Sequence, residues 1–490
     1  MLLKRKDKIT KSYDVIVIGS GLAGMTAANK LAKDGRSVLL LEAHNKLGGF
    51  ATWFRRNAKD GEKHIFDISL HGFPVGMVKT CRRHWSKEIA DKIERVDKIR
   101  FINPQFDIST DFTKEDYIRI LVEKFNLTEE EVTGFFKELR EMNFYDDSTL
   151  KNADLFERYF PGRNDVVRFL LEPMAYANGS TLEDEAITFG IVFSNFMNKG
   201  AYIFRGGTDM LIGMMRDELL ANGVDIKLHT FVDEITTESG VVSGVRVGED
   251  HIQAKTVISN SSLHNTIFKM VGEDKLSPAF IEKARAVRIN TSSCQVFMGL
   301  KEGESIPNVG ELIFYSDSEK FDTELLLSPQ AHSQTFSIYY PDMRPHLPQK
   351  YAIVSSMNAR YEDWANLTKE EYEKRKDFLI EKAISTVDKL IPGGVRDKIE
   401  HVNASTPLTI EKYTHHHFGS SFGTKFEGLE VSKDLTKEIE GLYHSGSVGI
   451  IMSGWLGAAN YGVIQAHDLN TYLDSKNNNQ ATKDAEVQHV

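Results

Sequence analysis

The feature that most constrains this chain lies near its start. An apolar run, Asp14-Val15-Ile16-Val17-Ile18, meets Gly19-Ser20-Gly21-Leu22-Ala23-Gly24, and a second apolar run over 37–41 closes on Glu42 and Ala43. So short and apolar a run predicts a buried parallel strand. The glycines allow a tight turn, and Gly24 lets the helix that follows (Leu22, Ala23, Ala27, Leu31 on its apolar positions) pack closely on that strand. Backbone N–H groups at the helix start then meet a pyrophosphate, while Glu42 accepts hydrogen bonds from ribose hydroxyls. Strand, turn, helix, strand and acid fall in the order of a dinucleotide-binding unit. The fold class expected is therefore α/β, with a Rossmann-like domain.

A few residues on, Leu47-Gly48-Gly49-Phe50-Ala51 brings a second glycine pair, where backbone must again pass close to a bulky or charged group. A simple NAD dehydrogenase has no reason for it. The chain resembles the large two-domain flavoprotein oxidoreductases, in which such a pair follows the ribose acid and runs beside the FAD pyrophosphate and flavin ring. The resemblance implies FAD as cofactor, a Rossmann-like FAD domain, and a substrate domain of mixed sheet plus helices. Two further blocks carry it: Phe204-Arg205-Gly206-Gly207-Thr208-Asp209 through Val232, and Gly441-Leu442-Tyr443-His444-Ser445-Gly446-Ser447 with Gly454-Trp455-Leu456-Gly457-Ala458-Ala459. By that resemblance Val232 touches adenine through its backbone. Gly446, Ser447, Trp455, Leu456, Gly457 and Ala458 approach the flavin, the helix N-terminus stabilising negative charge on the reduced ring.

Within this class the chain is most similar to the carotenoid desaturase, carotenoid isomerase and retinol saturase family of the flavin amine oxidase superfamily. Phe66-Asp67-Ile68-Ser69-Leu70-His71-Gly72, Gly206-Gly207, Thr406-Pro407-Leu408-Thr409 and the glycines of 419–423 carry that likeness. Two residues depart from the pattern. Ser69 stands where a glycine is usual, and Ser447 where an acid commonly approaches the flavin.

The flavin motifs fall in three pieces, 1–75, 200–266 and 435–475, which implies a discontinuous FAD-binding domain. Segments 76–199 and 267–434 make the substrate-binding domain, and 476–490 reads as a disordered tail. Over 76–199 the signals are helical: Thr113 before Glu115 and Asp116, and Thr128 before Glu129-Glu130-Glu131. Over 267–434, strand-like runs at 292–300, 311–315, 335–340 and 351–357 precede a helix over 369–391. No second glycine-rich strand–turn–helix follows Gly24, so an external electron acceptor or donor, or the substrate itself, completes the redox couple.

Composition narrows the rest. A formal net charge of -10 with scattered lysines argues against nucleic acid as partner. Cys81 and Cys294 offer neither a disulfide framework nor metal spacing, and a cytoplasmic location is expected. The basic residues of 4–11 read as a solvated, frayed end, with peripheral membrane contact as the alternative.

The expected activity is hydride transfer at C–C bonds of a hydrophobic polyene, terpenoid or lipid-like substrate: desaturation, saturation or isomerisation. An amine or protoporphyrinogen oxidase with the same cofactor is a second reading, and a flavin-free prenyl-lipid-binding escort a third. His71 is the candidate catalytic residue, an imidazole able to give or take a proton near neutral pH. Phe189, Phe193, Phe196, Phe204, Phe297, Phe314, Tyr339 and Tyr340 are candidates to line an apolar channel. His415-His416-His417 suits a lid or pocket better than a metal, Trp455 suits flavin shielding better than a substrate cage, and Glu172, Glu183, Asp184 and Glu185 read as a solvated turn.

Overall fold

The computed structural model of this protein describes residues 1–59, 61, 63–142, 149–197, 199–347 and 350–487. Two large sheets organise it. The first runs in the order Leu2–Leu3, Asp225–Lys227, Val38–Leu41, Tyr13–Ile18, Asp250–Ser259, Val241–Val247, Glu234–Glu238, with Leu442–His444 also paired to Asp250–Ser259. Its centre is parallel: Ile16 lies opposite Leu39 on one side and Val257 on the other, and Val257 opposite Leu442. These strands are buried on both faces, which is why they are continuous apolar runs. Three stretches distant in sequence thus place their carboxyl ends side by side, at Gly19, Asn260 and Ser445.

The helix Leu22–Lys33 packs against the last helix, Gly454–Val487, and against Gly207–Ala221. A glycine makes the first contact possible: a Cβ at Gly462 would lie 2.1 Å from the Ala23 carbonyl oxygen. Helical backbone continues to Val487, through most of the segment that composition alone assigns to a disordered tail.

The second sheet is seven-stranded: Ile399–Ser405, Ser292–Leu300, Ala352–Ala359, Ser333–Tyr339, Leu312–Ser316, Ile99–Asn103, Phe106–Thr110. Alternation along its strands sorts two faces. Cys294, Val296, Met298, Phe336, Ile338 and Ile353 pack with Leu379, Ala383 and Val387 of the helix Lys369–Leu390, whose Thr368 capping box fixes its start. The opposite face, with Phe297, Leu312 and Phe314, turns toward the helices of the 114–197 region. Those include Lys114–Phe125, capped by Thr113, and Glu129–Glu141, with a Thr128 capping box, as the sequence predicts.

Three further expectations change. The hairpin formed by Ile99–Asn103 and Phe106–Thr110 breaks the helical reading of 76–199 and extends the second sheet. Its alternation spans only a few residues either side of a tight turn. The chain start is not frayed: Leu2 and Leu3 pair in parallel with Ile226 and Lys227. Glu172 and Asp184 are buried ion-pair partners rather than solvated, bonded to Arg168 at 2.9 Å and Lys425 at 2.8 Å. Among the described residues, no helix is long and apolar enough to cross a membrane.

Candidate active site and cofactor trough

A cavity of about 1080 Å³ runs from the carboxyl ends of the first sheet to the inner face of the second. Its first half is a trough walled by backbone. Gly19 donates its N–H to the Leu41 carbonyl at 2.7 Å, and Gly48 to the Ser20 carbonyl at 3.0 Å, so the two glycine motifs lie against each other. Gly19, Gly48 and Gly49 have φ of 89°, 119° and 60°, the left-handed region that glycine enters without strain. Close approach fixes the others. A Cβ on Gly24 would sit 2.2 Å from the Gly19 oxygen, and on Gly21 2.6 Å from Asn260 Oδ1.

Of the residues expected to hold FAD, Gly19, Gly21, Leu22, Ala23, Glu42, Ala43, Gly48, Gly49, Phe50, Ala51, Val232, Ser447, Trp455, Leu456, Gly457 and Ala458 all line this one cavity. Gly24 and Gly446 do not line it. They let the lining elements approach: a Cβ on Gly446 would meet the Ser261 oxygen at 2.1 Å. Glu42 is oriented by Ser20 N–H at 2.8 Å and by His44 N–H at 2.7 Å, one on each carboxylate oxygen.

Residues outside those motifs complete the trough. Asn260, at the end of a central strand, donates from Nδ2 to the Ser445 oxygen at 2.8 Å and so fastens two of the three chain stretches beneath the glycines. Its position where strand ends meet was the only sequence signal. Ser69 explains its own departure from the family pattern. Its hydroxyl donates to the Phe50 oxygen at 2.8 Å, and its carbonyl accepts from Trp455 Nε1 at 3.1 Å, tying the second glycine loop to the last helix. Trp455 stacks on Phe73 with centroids 5.3 Å apart. Asp67 accepts from Thr208 N–H at 2.8 Å at the start of Gly207–Ala221, and from Arg344 at 2.7 Å; Arg344 also reaches Asp209 at 3.1 Å. Burial disfavours that guanidinium's charge, but the two carboxylates more than offset it and raise its pKa.

The second half is a chamber of side chains. Phe196, Phe297 and Phe314 line it, with Phe54, Phe112, Met174, Tyr176 and Val192. Phe189, Phe193, Phe204, Tyr339 and Tyr340 do not. The first three are core, and the Tyr339 hydroxyl donates to the Leu70 oxygen at 2.6 Å, bracing the loop that carries His71. His71 lines the chamber, with Nδ1 2.7 Å from Ser337 Oγ and Nε2 3.3 Å from the Gln295 amide nitrogen. Burial pushes its imidazole down to about 4, against the opposing pull of the Ile68 carbonyl and Asp67, so it is neutral at pH 7.

The loop after the helix Pro407–Thr414 spans the trough. His415 packs on Phe231 with centroids 5.4 Å apart, His416 on Phe50 at 4.8 Å, and His417 stacks on His264 at 3.7 Å. The three imidazoles thus serve three neighbourhoods. Asn265 Nδ2 donates to the His415 oxygen, latching the loop across the cavity.

Whether these residues suit a dinucleotide is testable from the trough itself. Ser445 Oγ and Asn265 Oδ1 are buried without a hydrogen-bond partner among the described residues, and both residues line the cavity. Orphans of this kind call for a polar occupant. The cradle's walls stand at glycine clearance, since a Cβ on Gly24 or Gly48 would lie 2.2 Å from a backbone oxygen, and the cavity they enclose holds room beyond a typical drug-sized pocket of roughly 300–1,000 Å³.

Fold and trough together define a two-domain flavoprotein oxidoreductase. The chain belongs to the flavin containing amine oxidoreductase family, which it matches over residues 22–382. It is an enzyme, and its cofactor is FAD. It is 22% identical over 543 aligned residues to the all-trans-retinol 13,14-reductase of Homo sapiens, covering 96% of this chain and 88% of that protein. It is 24% identical over 502 residues to the chloroplastic prolycopene isomerase of Daucus carota, covering 94% and 80%. An oxidoreductase of solved structure from Methanosarcina mazei superposes with a TM-score of 0.65 at 16% identity, covering 94% of this chain and all of that one.

Proposed function

We propose that the enzyme exchanges hydride between FAD and a C–C bond of a hydrophobic polyene, terpenoid or lipid-like substrate, by desaturation, saturation or isomerisation. The observation that carries this reading is the continuity of the glycine trough with an aromatic chamber that, among the described residues, contains no carboxylate. Among the described residues two carboxylates line the cavity, Glu42 and Asp233, and both line the glycine half. An ammonium entering the chamber would find no counter-ion, which disfavours the amine oxidase reading.

FAD supplies the hydride acceptor or donor when bound. The chain's residues then do four things. Gly21, Leu22 and Ala23 offer backbone N–H groups to the pyrophosphate, at a turn that Gly19 holds through its own bond to the Leu41 carbonyl; Glu42, Ala43 and Val232 receive the adenosine side. Gly48, Gly49, Phe50, Ala51 and the helix start at Trp455, Leu456, Gly457 and Ala458 flank the ring, with Ser447 beside them. The aromatic walls exclude water and hold an apolar chain in near-contact geometry. His71, neutral, receives a proton or a hydrogen bond but holds no excess proton to give at pH 7.

Anaerobic titration of the yellow holoenzyme tests this. Polyenes or isoprenoids should exchange electrons with the flavin, or be isomerised by the reduced enzyme, while simple amines leave its spectrum unchanged. Bleaching by amines alone would reverse the assignment.

A further inference from the structure

The inner face of the second sheet carries a row of polar side chains where a face enclosed between sheet and helices is ordinarily apolar. The register sets Ser405 opposite Gln295, Gln295 opposite Ser356, Ser356 opposite Thr335, and Thr335 opposite Phe314. Four adjacent strands thus present hydroxyl, amide, hydroxyl and hydroxyl in one line, ended by an aromatic ring. All five residues line the cavity, as do Ser293 and Asn358, which face each other on the next row.

The row is under-used by the protein itself. Gln295 donates from its amide nitrogen to the Ile68 oxygen at 2.7 Å and to Ser356 Oγ at 3.0 Å, which leaves its side-chain carbonyl without a donor among the described residues. The Thr335 hydroxyl makes only a long 3.4 Å bond among the described residues, to the Ser356 carbonyl. The Ser405 hydroxyl has no partner among the described residues, although its neighbour Asn403 caps the Ala404 N–H at 3.0 Å. Polar groups withdrawn from bulk water and left with spare donors and acceptors mark where a ligand's own polar atom goes.

The charges lie elsewhere. Of the lysines and arginines that line the cavity among the described residues, Lys46 is bonded to the Trp53 carbonyl, Arg56 is an exposed residue lying 4.7 Å over the Phe54 ring, and Lys269 is exposed on the segment Asn265–Val271.

We propose that Ser405, Gln295, Ser356 and Thr335 form a reader for an uncharged oxygen-bearing group, a hydroxyl or carbonyl, on an otherwise apolar substrate. This rests on the oxidoreductase reading above and narrows it from hydrocarbons to oxygenated chains. Hydroxyls and an amide serve either a donor or an acceptor, while the adjoining Phe297, Leu312 and Phe314 take the apolar body. A site built to hydrogen-bond a substrate oxygen rejects the analogue lacking it far more strongly than an apolar pocket rejects an added methylene.

The test uses FAD-loaded full-length protein and one isoprenoid chain ending in a methyl, hydroxyl, carboxylate or amine group. Binding is read by quenching of tryptophan fluorescence, electron exchange by the flavin spectrum. The alcohol should bind at least about tenfold more tightly than the hydrocarbon, and Ser356→Ala combined with Thr335→Val should remove that preference with less than about threefold change for the hydrocarbon. Thr335→Ser, which keeps the hydroxyl, should retain the preference and guards against simple misfolding. Equal binding of alcohol and hydrocarbon, or tightest binding of the carboxylate or the amine, overturns the reader. If hydrocarbon and alcohol exchange electrons alike, the reader falls and the polyene reading stands. If the alcohol binds selectively but neither reduces nor oxidises the flavin and is not isomerised, the reader stands and the redox reading falls.

Discussion

The trough under the first sheet and the chamber under the second belong to one cavity but are made of different material. The trough is walled by backbone, with left-handed turns at Gly19, Gly48 and Gly49, and approaches that leave no space for a Cβ at Gly21 or Gly24. The chamber is walled by side chains projecting alternately from strands of the second sheet. Backbone cannot yield without moving the strands it joins, whereas a side chain can rotate or be replaced by another of similar volume. The trough therefore holds one kind of ligand rigidly, and the chamber is where a related protein can change substrate.

This contrast is open to direct attack. Its largest expected consequence is at Gly24: Gly24→Val, forced against a backbone oxygen 2.2 Å from its Cβ position, should abolish flavin retention and destabilise the fold by more than about 3 kcal/mol. Visible absorbance per mole of protein and a denaturant midpoint would measure both. Retention of full flavin by that variant would refute the rigid-trough account. At the seam between the halves, Arg344→Ala leaves Asp67 buried without its cation and should cost about 3–5 kcal/mol in urea unfolding. Arg344→Lys should recover only part, since the guanidinium spans Asp67 and Asp209 together.

Acid should reach both halves. His71 in the chamber, and His416 and His444 at the trough, are each pushed by burial to about 4. Between the ordinary value of 6.5 and 4 the unfolded chain binds protons that the folded chain excludes. Stability is then full above pH 6.5 and falls by about 1.4 kcal/mol per pH unit for each such histidine as the pH drops toward 4. Unfolding curves at stepped pH should show that slope, and His444→Asn should reduce it. The smallest effect is expected at the chamber wall. Phe196→Leu should change stability by less than about 1 kcal/mol and leave flavin content intact, while weakening binding of an apolar chain several-fold in a fluorescence titration.

How much was legible beforehand follows the same division. The glycine turn, Glu42, the second glycine pair and the last helix start were readable because each is a local demand: a conformation or clearance that the residue at that position alone must meet. The capped helices beginning after Thr113 and Thr128 were readable for the same reason. Asn260, Arg344 and Gln295 escaped notice, since nothing near them in sequence announces partners such as Ser445, Asp67 and Ile68. Five of the eight aromatic candidates lie outside the cavity lining, because an aromatic side chain in the core and one facing a cavity share the same periodicity. Ser69 looked like a lapse from a pattern until its bonds to Phe50 and Trp455 gave it work to do.

The sequence by itself determined that three separated stretches must build a dinucleotide-binding α/β core, because glycine positions and apolar runs act through steric rules over a few residues. Only the tertiary structure decided which side chains face the chamber, how the His415 to His417 loop crosses the trough, and that four polar residues from four strands stand in one row. Those outcomes depend on strand register and on contacts between residues up to hundreds of positions apart, and no local preference specifies them.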